Sequence, residues 1–222
     1  MTTDGTSAAD VALFDFGGVV IKTPFELLDT EWRGPFDPEA DLLWQQAVSE
    51  EITEREYWHR RASEFHPDAE DPTFAFMREL YDTDEARIVR PEIVALLDEL
   101  DRRGIRTAGL TNDLAAFHPP EWIERMTVIR RFDPLIDLSH AGFLKPAAEA
   151  FEYTLKVLDV DASQVVFFDD QPQNVEGAQA CGIRSVRCDP TDIAGSVGQL
   201  RRALAPAGGL PSSSGGEVHP PD

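Results

Sequence analysis

Four short stretches of the sequence place groups able to bind anions or metals at the ends of apolar runs. The run over residues 11–16 contains one carboxylate, Asp15, and stops at Gly17-Gly18. A carboxylate at the tip of a buried strand, followed by two glycines, lets backbone N–H groups close around an anion. The plainer reading is an aspartate that caps a strand-to-loop turn. Thr111-Asn112-Asp113 ends the strand-like run 105–110. There a hydroxyl and an amide can hold a phosphate oxygen, although such a triplet on its own is an ordinary turn or helix cap. Lys145-Pro146 sets an ammonium just before a helix N-terminus, where the dipole disfavours a cation. A lysine at that point makes sense when an anion lies between it and the helix end. The chain has three lysines, Lys22, Lys145 and Lys156, so finding one where chemistry needs a cation carries weight. Asp169-Asp170 ends the apolar run 165–168. Two adjacent carboxylates at an apolar tip cost free energy unless a metal or cation neutralises them, a solvated turn being the alternative.

The elements that must position these groups alternate along the chain. Residues 24–83 carry helical signals and no convincing strand, with Pro35, Pro38, Pro67 and Pro72 marking loops. Thr53-x-x-Glu56 is a capping box that opens a helix over 57–65. Ile93, Leu96, Leu97 and Leu100 repeat at helical spacing and Gly104 ends that helix. A helix is expected at 120–130 and a short strand at 135–138. Pro146 opens a helix striped by Phe151, Leu155 and Leu158. Strands at 165–168 and 183–186 then flank a helix at 175–181. Strands separated by helices predict an α/β fold, a Rossmann-like doubly wound parallel sheet, built from residues 1–22 and 90–205. A small all-α insertion occupies 23–89. Residues 206–222, rich in Pro, Gly and Ser, read as a disordered tail. Sheets of this kind bind ligands at the carboxyl ends of their strands, and all four signals fall at or near such an end.

Bulk properties narrow the partners. With 20 basic against 41 acidic residues and a formal charge of −21, the chain is not expected to bind nucleic acid or an anionic membrane, because counterion-release binding needs clustered Lys and Arg. An anionic substrate meets a repulsive field that only a bound cation or a local basic group reverses. No stretch approaches the ~20 apolar residues of a membrane span. The polar first ten residues do not read as a signal peptide, and a reducing cytoplasm is the expectation. Cys181 and Cys188 form neither a disulfide framework nor a metal spacing, and Cys181, inside an apolar helical pattern, reads as core.

The order Asp, Thr, Lys-Pro, Asp-Asp resembles the four motifs of the haloacid dehalogenase superfamily, over residues 11–22 and 105–188. Its most specific pieces are Phe14-Asp15-Phe16-Gly17-Gly18-Val19 and Phe168-Asp169-Asp170-Gln171-Pro172-Gln173-Asn174-Val175. The resemblance makes the 23–89 insertion similar to the family's small helical cap. It implies a phosphatase acting on a small phosphorylated metabolite, with Asp15 as the nucleophile that forms an aspartyl-phosphate. It further implies Mg²⁺ held by Asp15, the Gly17 carbonyl and Asp170, with Asp169 direct or through water. Gly18, Thr111, Asn112 and Lys145 would bind the phosphoryl group, Thr111 and Lys145 sharing in catalysis. One departure matters: most phosphatases of the family carry a second Asp, the general acid, where this chain has Gly17. Relatives with glycine there include sugar-phosphate phosphatases. The change favours one alternative to turnover of phosphomonoesters, a catalytically weak or inactive phosphate-binding or regulatory protein, and a third reading is a metal-independent dehalogenase in which Asp15 attacks carbon. Asp169-Asp170 argues against the last, because it would repel a carboxylate substrate. Asp113, His118 and His59 are the candidate replacement acids, each with a structural role as the plainer reading.

Overall fold

The structure is a computed structural model and describes residues 9–32, 34–49 and 51–205; the expected tail at 206–222 lies outside them. Five strands, β1 (Val11–Phe14), β2 (Arg106–Thr111), β3 (Leu135–Asp137), β4 (Val165–Asp169) and β5 (Arg184–Arg187), form a sheet in the order β3-β2-β1-β4-β5. Every pairing is parallel. β1 is a continuous apolar run because both of its faces are covered. Ala12 and Phe14 join one hydrophobic cluster, and Val11 and Leu13 join the cluster on the opposite face. The chain order reverses on either side of β1, which puts the topological switch point at its carboxyl end.

Helices α1 (Pro24–Leu27), α2 (Leu42–Val48), α3 (Glu54–Ser63), α4 (Pro72–Tyr81) and α5 (Glu85–Ile88) lie between β1 and α6 (Pro91–Arg103). The apolar spacing in α6 buries Ile93, Leu96, Leu97 and Leu100, and Gly104 closes the helix at φ 69°, a left-handed conformation that favours glycine. α3 starts at Glu54, earlier than the 57–65 expected, because the Thr53 hydroxyl caps the backbone N–H of Glu56. Glu56 does not return the bond; its carboxylate pairs with Arg60. After β2 come α7 (Leu114–Phe117) and α8 (Pro120–Arg125), followed by a 3₁₀ turn at Val128–Arg131 in place of one helix over 120–130. α9 (Ala148–Leu158) begins two residues after Pro146. Pro146 does not open it, because Ala147 N–H turns back to Leu144 O at 2.9 Å. α10 (Pro172–Ala180) and α11 (Ile193–Ala203) complete the layers. Cys188 is buried, whereas Cys181, expected in the core, is only half-buried at the end of α10. Among the described residues no helix is long and apolar enough to cross a membrane.

Where the chain leaves β1 for the helical segment and returns to α6, its two passages run side by side. Lys22 N–H donates to Ile88 O at 2.8 Å and Arg90 N–H to Val20 O at 3.0 Å. Arg90, which sequence reading passed over, is buried. Its guanidinium donates to Gly18 O at 3.1 and 3.2 Å and to Glu26 at 2.7 and 2.8 Å. One buried cation thus ties the loop after β1 to the first helix of the segment and to the start of α6.

α4 meets α7 and α8 through a stack of rings. His118 lies flat against Trp122, with centroids 4.0 Å apart, and edge-on to Tyr81. Trp122 Nε1 donates to Tyr81 O at 2.8 Å. Burial presses the His118 imidazole down to about pKa 3, against a smaller upward pull from Asp137. Nδ1 of His118 has no hydrogen-bond partner among the described residues. The unfolded chain therefore binds the extra proton: stability is intact above about pH 6.5 and falls as pH drops toward 3. Replacing His118→Phe keeps a ring in the stack and removes this titration. Between pH 7.5 and 5, wild type should lose about 2 kcal/mol more unfolding free energy than the variant. Equal losses in urea melts at both pH values would show that the imidazole is not held neutral.

Candidate active site

The four polar signals converge. Asp15 and Asp169-Asp170 emerge from the adjacent ends of β1 and β4, which pair in register from Val11↔Val165 to Phe14↔Phe168. Asp15 N–H extends that ladder, donating to Phe168 O at 2.9 Å. Thr111 ends β2, on the other side of β1, and is buried. Lys145 comes from the loop before α9, and its ammonium is buried between two of the acids, 2.6 Å from Asp15 Oδ1 and 2.8 Å from Asp169 Oδ2. Its third donor reaches Leu110 O at 3.0 Å. The lysine thus sits where the dipole argument disfavours it because the anions it meets are the protein's own carboxylates.

Asn112 has a role that sequence reading did not anticipate. Its side chain makes a two-way latch with the Lys145 backbone, accepting from Lys145 N–H at 2.9 Å and donating to Lys145 O at 3.1 Å. The amide thus holds the lysine loop against the end of β2. Asp169 is fully buried and accepts from Lys145, from Gln171 N–H at 2.8 Å and from the Asn174 side chain at 3.1 Å. Asp170 packs against Gly18, which has φ 78°, and a Cβ at Gly18 would collide with that carboxylate. Glycine is therefore required there twice over, by backbone and by space. Gly17 differs: it is exposed, it is not among the positive-φ glycines, and a Cβ would meet nothing within 4 Å. A side chain at 17 would therefore meet neither backbone strain nor a clash.

Oxygens of Asp15, Asp169 and Asp170 lie within 4.8 Å of one another. With one ammonium among three carboxylates the cluster is short of positive charge. Burial pushes the Asp15 carboxyl up to about 7, with Asp169 adding to the rise and Lys145 opposing it. Asp170 is also raised well above the ordinary range, by burial and then by Asp169 and Asp15. Lys145 is held above its usual value: burial alone would lower it, but the two aspartates outweigh that. Clustered hard oxygen donors with excess negative charge suit a divalent cation such as Mg²⁺, so the residues present fit that ion.

Of the candidate acids, His59 is exposed and lies on a different groove from the cluster. His118 lines the cleft but is held neutral, and Asp113 caps no helix N–H. Asp113 instead accepts from Arg55 of α3 at 2.6 Å, linking the helical segment to the loop after β2. Glu54, missed by sequence reading, lines the same cleft as Asp15, Asp170 and Lys145. The residue as a whole is exposed, while its carboxyl accepts from Trp58 Nε1 at 3.3 Å. Enclosure of that carboxyl, followed by the negative charge of Asp113, raises it above the ordinary carboxylate range. The sequence offered one signal for it, an acid in the first turn after Thr53, and that pattern commonly serves the helix dipole alone.

A family model described as haloacid dehalogenase-like hydrolase matches residues 9–182. A sesquiterpene phosphatase of Aspergillus oryzae is 26% identical over 206 residues, covering 87% of this chain and 95% of that protein. A ribulose-1,5-bisphosphate 5-phosphatase of Halopiger xanaduensis is 28% identical over 183 residues, 76% of each chain. Two other curated relatives are far longer, and the chain spans 10% and 15% of their lengths. Among solved structures, a variant of the enzyme bt-2542 from Bacteroides thetaiotaomicron, in complex with magnesium and inorganic phosphate, shares the fold at TM-score 0.51 and 17% identity. That match covers 82% of this chain and 95% of that one.

The charge balance predicts the behaviour of a Lys145→Met variant. Removing the ammonium leaves Asp15 and Asp169 buried without a cation, a loss on the order of 3–5 kcal/mol at pH 7.5. Carboxyls whose folded pKa is raised lose stability as pH rises, so the deficit against wild type should narrow toward pH 5. A deficit equal at both pH values, read from denaturant melts, would assign it to packing instead of charge.

Proposed function

The chain belongs to the haloacid dehalogenase-like hydrolase family, and from that premise we propose that it is a Mg²⁺-dependent phosphatase of a small phosphorylated metabolite in the cytoplasm. The observation that carries this reading is the buried meeting of Asp15, Lys145, Asp169 and Asp170 at the carboxyl ends of β1 and β4. Relatives named as phosphatases and the magnesium and phosphate in bt-2542 support it. In this reading residues 1–22 and 90–205 are the core and 23–89 the cap, with the Arg55–Asp113 contact joining them across the cleft.

Asp15 attacks phosphorus with one carboxylate oxygen, the bond to the leaving oxygen breaks, and water then hydrolyses the aspartyl-phosphate to regenerate Asp15 and release phosphate. Lys145 orients the nucleophile through Oδ1 and presents positive charge to the phosphoryl oxygens. Thr111, the Asn112 backbone and the loop at Gly18 hold those oxygens where charge develops. Asp15, the Gly17 carbonyl and Asp170 would hold Mg²⁺, with Asp169 direct or through water. When bound, the ion neutralises phosphoryl charge and the excess negative charge of the cluster. With no acid at position 17, Glu54 lines the cleft with a raised carboxyl outside the Asp15–Asp169–Asp170 cluster, and in this reading it protonates the leaving oxygen.

A screen of phosphorylated metabolites, with and without Mg²⁺, tests the assignment against Asp15→Asn. The variant should keep its circular dichroism spectrum and lose turnover by a factor on the order of 10⁴ or more. Equal rates in the two proteins would overturn the role of Asp15. Glu54→Gln should slow alkyl phosphates by roughly 10²–10⁴-fold and aryl or acyl phosphates far less, since their leaving groups need no proton. A uniform loss across leaving groups of graded pKa would remove Glu54 from proton transfer.

A further inference from the structure

The cleft above Asp15 has a volume of about 820 Å³, open solvent included, and its lining is of two kinds. At the floor lie Asp15, Asp170, Thr111 and Lys145. The helical segment lines the cleft with an apolar wall of Phe25, Trp44, Trp58, Met77 and Tyr81, and Phe117 of α7 adds to the lining. These side chains brace one another: Phe25 meets Trp58 at 5.0 Å and Trp44 at 5.4 Å between ring centroids. Trp44, Trp58, Met77 and Tyr81 are all buried.

The charged and polar groups along this wall are informative for what they lack. Lys145 is the one cationic residue lining the cleft among the described residues, and its three donors are committed to Asp15, Asp169 and Leu110 O. Glu54 and Asp113 put two carboxyls in the lining, the second paired with Arg55. Thr23, Tyr81, Asn112 and Asn174 also line the cleft, but their side chains donate to Glu26, Lys22, Lys145 and Asp169, which leaves the Gln171 amide, beside Asp170, as the further lining donor. His118 also lines the cleft and is neutral, so it brings no charge and only its unpaired Nδ1 as a polar atom. A second phosphate or a carboxylate on the substrate would find no cation here and would face two carboxyls. A polyhydroxylated chain would find few donors and would dehydrate its hydroxyls against aromatic rings.

We infer that the substrate is a phosphate monoester of an apolar, uncharged alcohol, whose hydrocarbon part lies against the Phe25–Trp44–Trp58–Met77 wall while its phosphate meets Asp15 and Lys145. The inference rests on the phosphatase reading for its reacting end and on the cleft lining for its tail. It excludes bisphosphates and carboxylated phosphates as preferred substrates.

The test is a series of ethyl, butyl and octyl phosphate and 8-phosphonooxyoctanoate, assayed with Mg²⁺ beside acetyl phosphate, which makes no use of the apolar wall. Each buried methylene contributes up to roughly fourfold, so kcat/KM should rise at least about tenfold from butyl to octyl phosphate. The terminal carboxylate should cost at least about tenfold against octyl phosphate. Phe117→Lys, at a half-buried position of the lining, should narrow that last gap by placing a cation there. The two substrates are compared in one preparation, so partial unfolding cancels from the ratio. A second readout uses Asp15→Asn: octyl phosphate should quench tryptophan fluorescence at lower concentration than butyl phosphate, because Trp44 and Trp58 line the cleft. Turnover of acetyl phosphate with a flat chain-length series, or a preference for the carboxylated ester, would overturn the inference and leave the phosphatase reading standing. If no phosphate is turned over, the phosphatase reading falls, and the fluorescence titration still decides whether the wall takes an apolar tail.

Discussion

Three carboxylates can be buried within a few ångströms of one another only if something positive lies among them, and in this protein that role falls to the Lys145 ammonium. It bridges Asp15 and Asp169 across the ends of two neighbouring strands. Its loop must therefore reach the same point as β1 and β4, and the Asn112 latch holds it there from β2. Parallel strands with helical crossovers are the architecture that brings their carboxyl ends together. The compensation is partial. One ammonium neutralises two aspartates incompletely and Asp170 hardly at all, so the carboxyls of Asp15 and Asp170 stay raised. A site left short of positive charge is primed for a cation and for the charge that phosphoryl transfer develops.

The second constraint is mechanical. The helical segment enters and leaves between Gly18 and Arg90, and the buried Arg90 guanidinium fastens both passages to the Gly18 carbonyl. Gly18 in turn abuts Asp170. A displacement of the segment is thereby felt two contacts away at the carboxylate cluster. Farther out, Arg55 on α3 pairs with Asp113 after β2 and brings Glu54 to the rim of the cleft. The position usually filled by an acid, Gly17, has room for a side chain and carries none. In the proposed mechanism the proton comes from the helical segment, so catalysis would depend on the segment being seated, and leaving-group chemistry and leaving-group shape would be read by the same helices.

Much of this could be read from residue order. Apolar runs located β1 and β4 to within a few residues, because a strand covered on both faces has no alternative to being apolar, and the alternation with helices located the less apolar β2, β3 and β5 as closely. Asp15, Thr111, Lys145 and Asp169-Asp170 stood out because polar groups at the tips of such runs are costly unless used. Local rules failed where a longer-range contact overrode them. Pro146 did not start a helix, since the lysine before it is drawn into the cluster, and Cys181 ended half-exposed at a helix terminus despite its apolar pattern. Asp113 looked like a helix cap and became an ion-pair partner of a residue 58 positions away. Glu54 carried only the signal of an acid in the first turn of a helix and Arg90 carried none, because their meaning comes from groups far along the chain, Asp113 for the one and Gly18 and Glu26 for the other. Residue type and the position of each strand along the chain are local properties; which carboxyls are raised, and what the cleft accepts, depends on burial and on neighbours that only folding brings together.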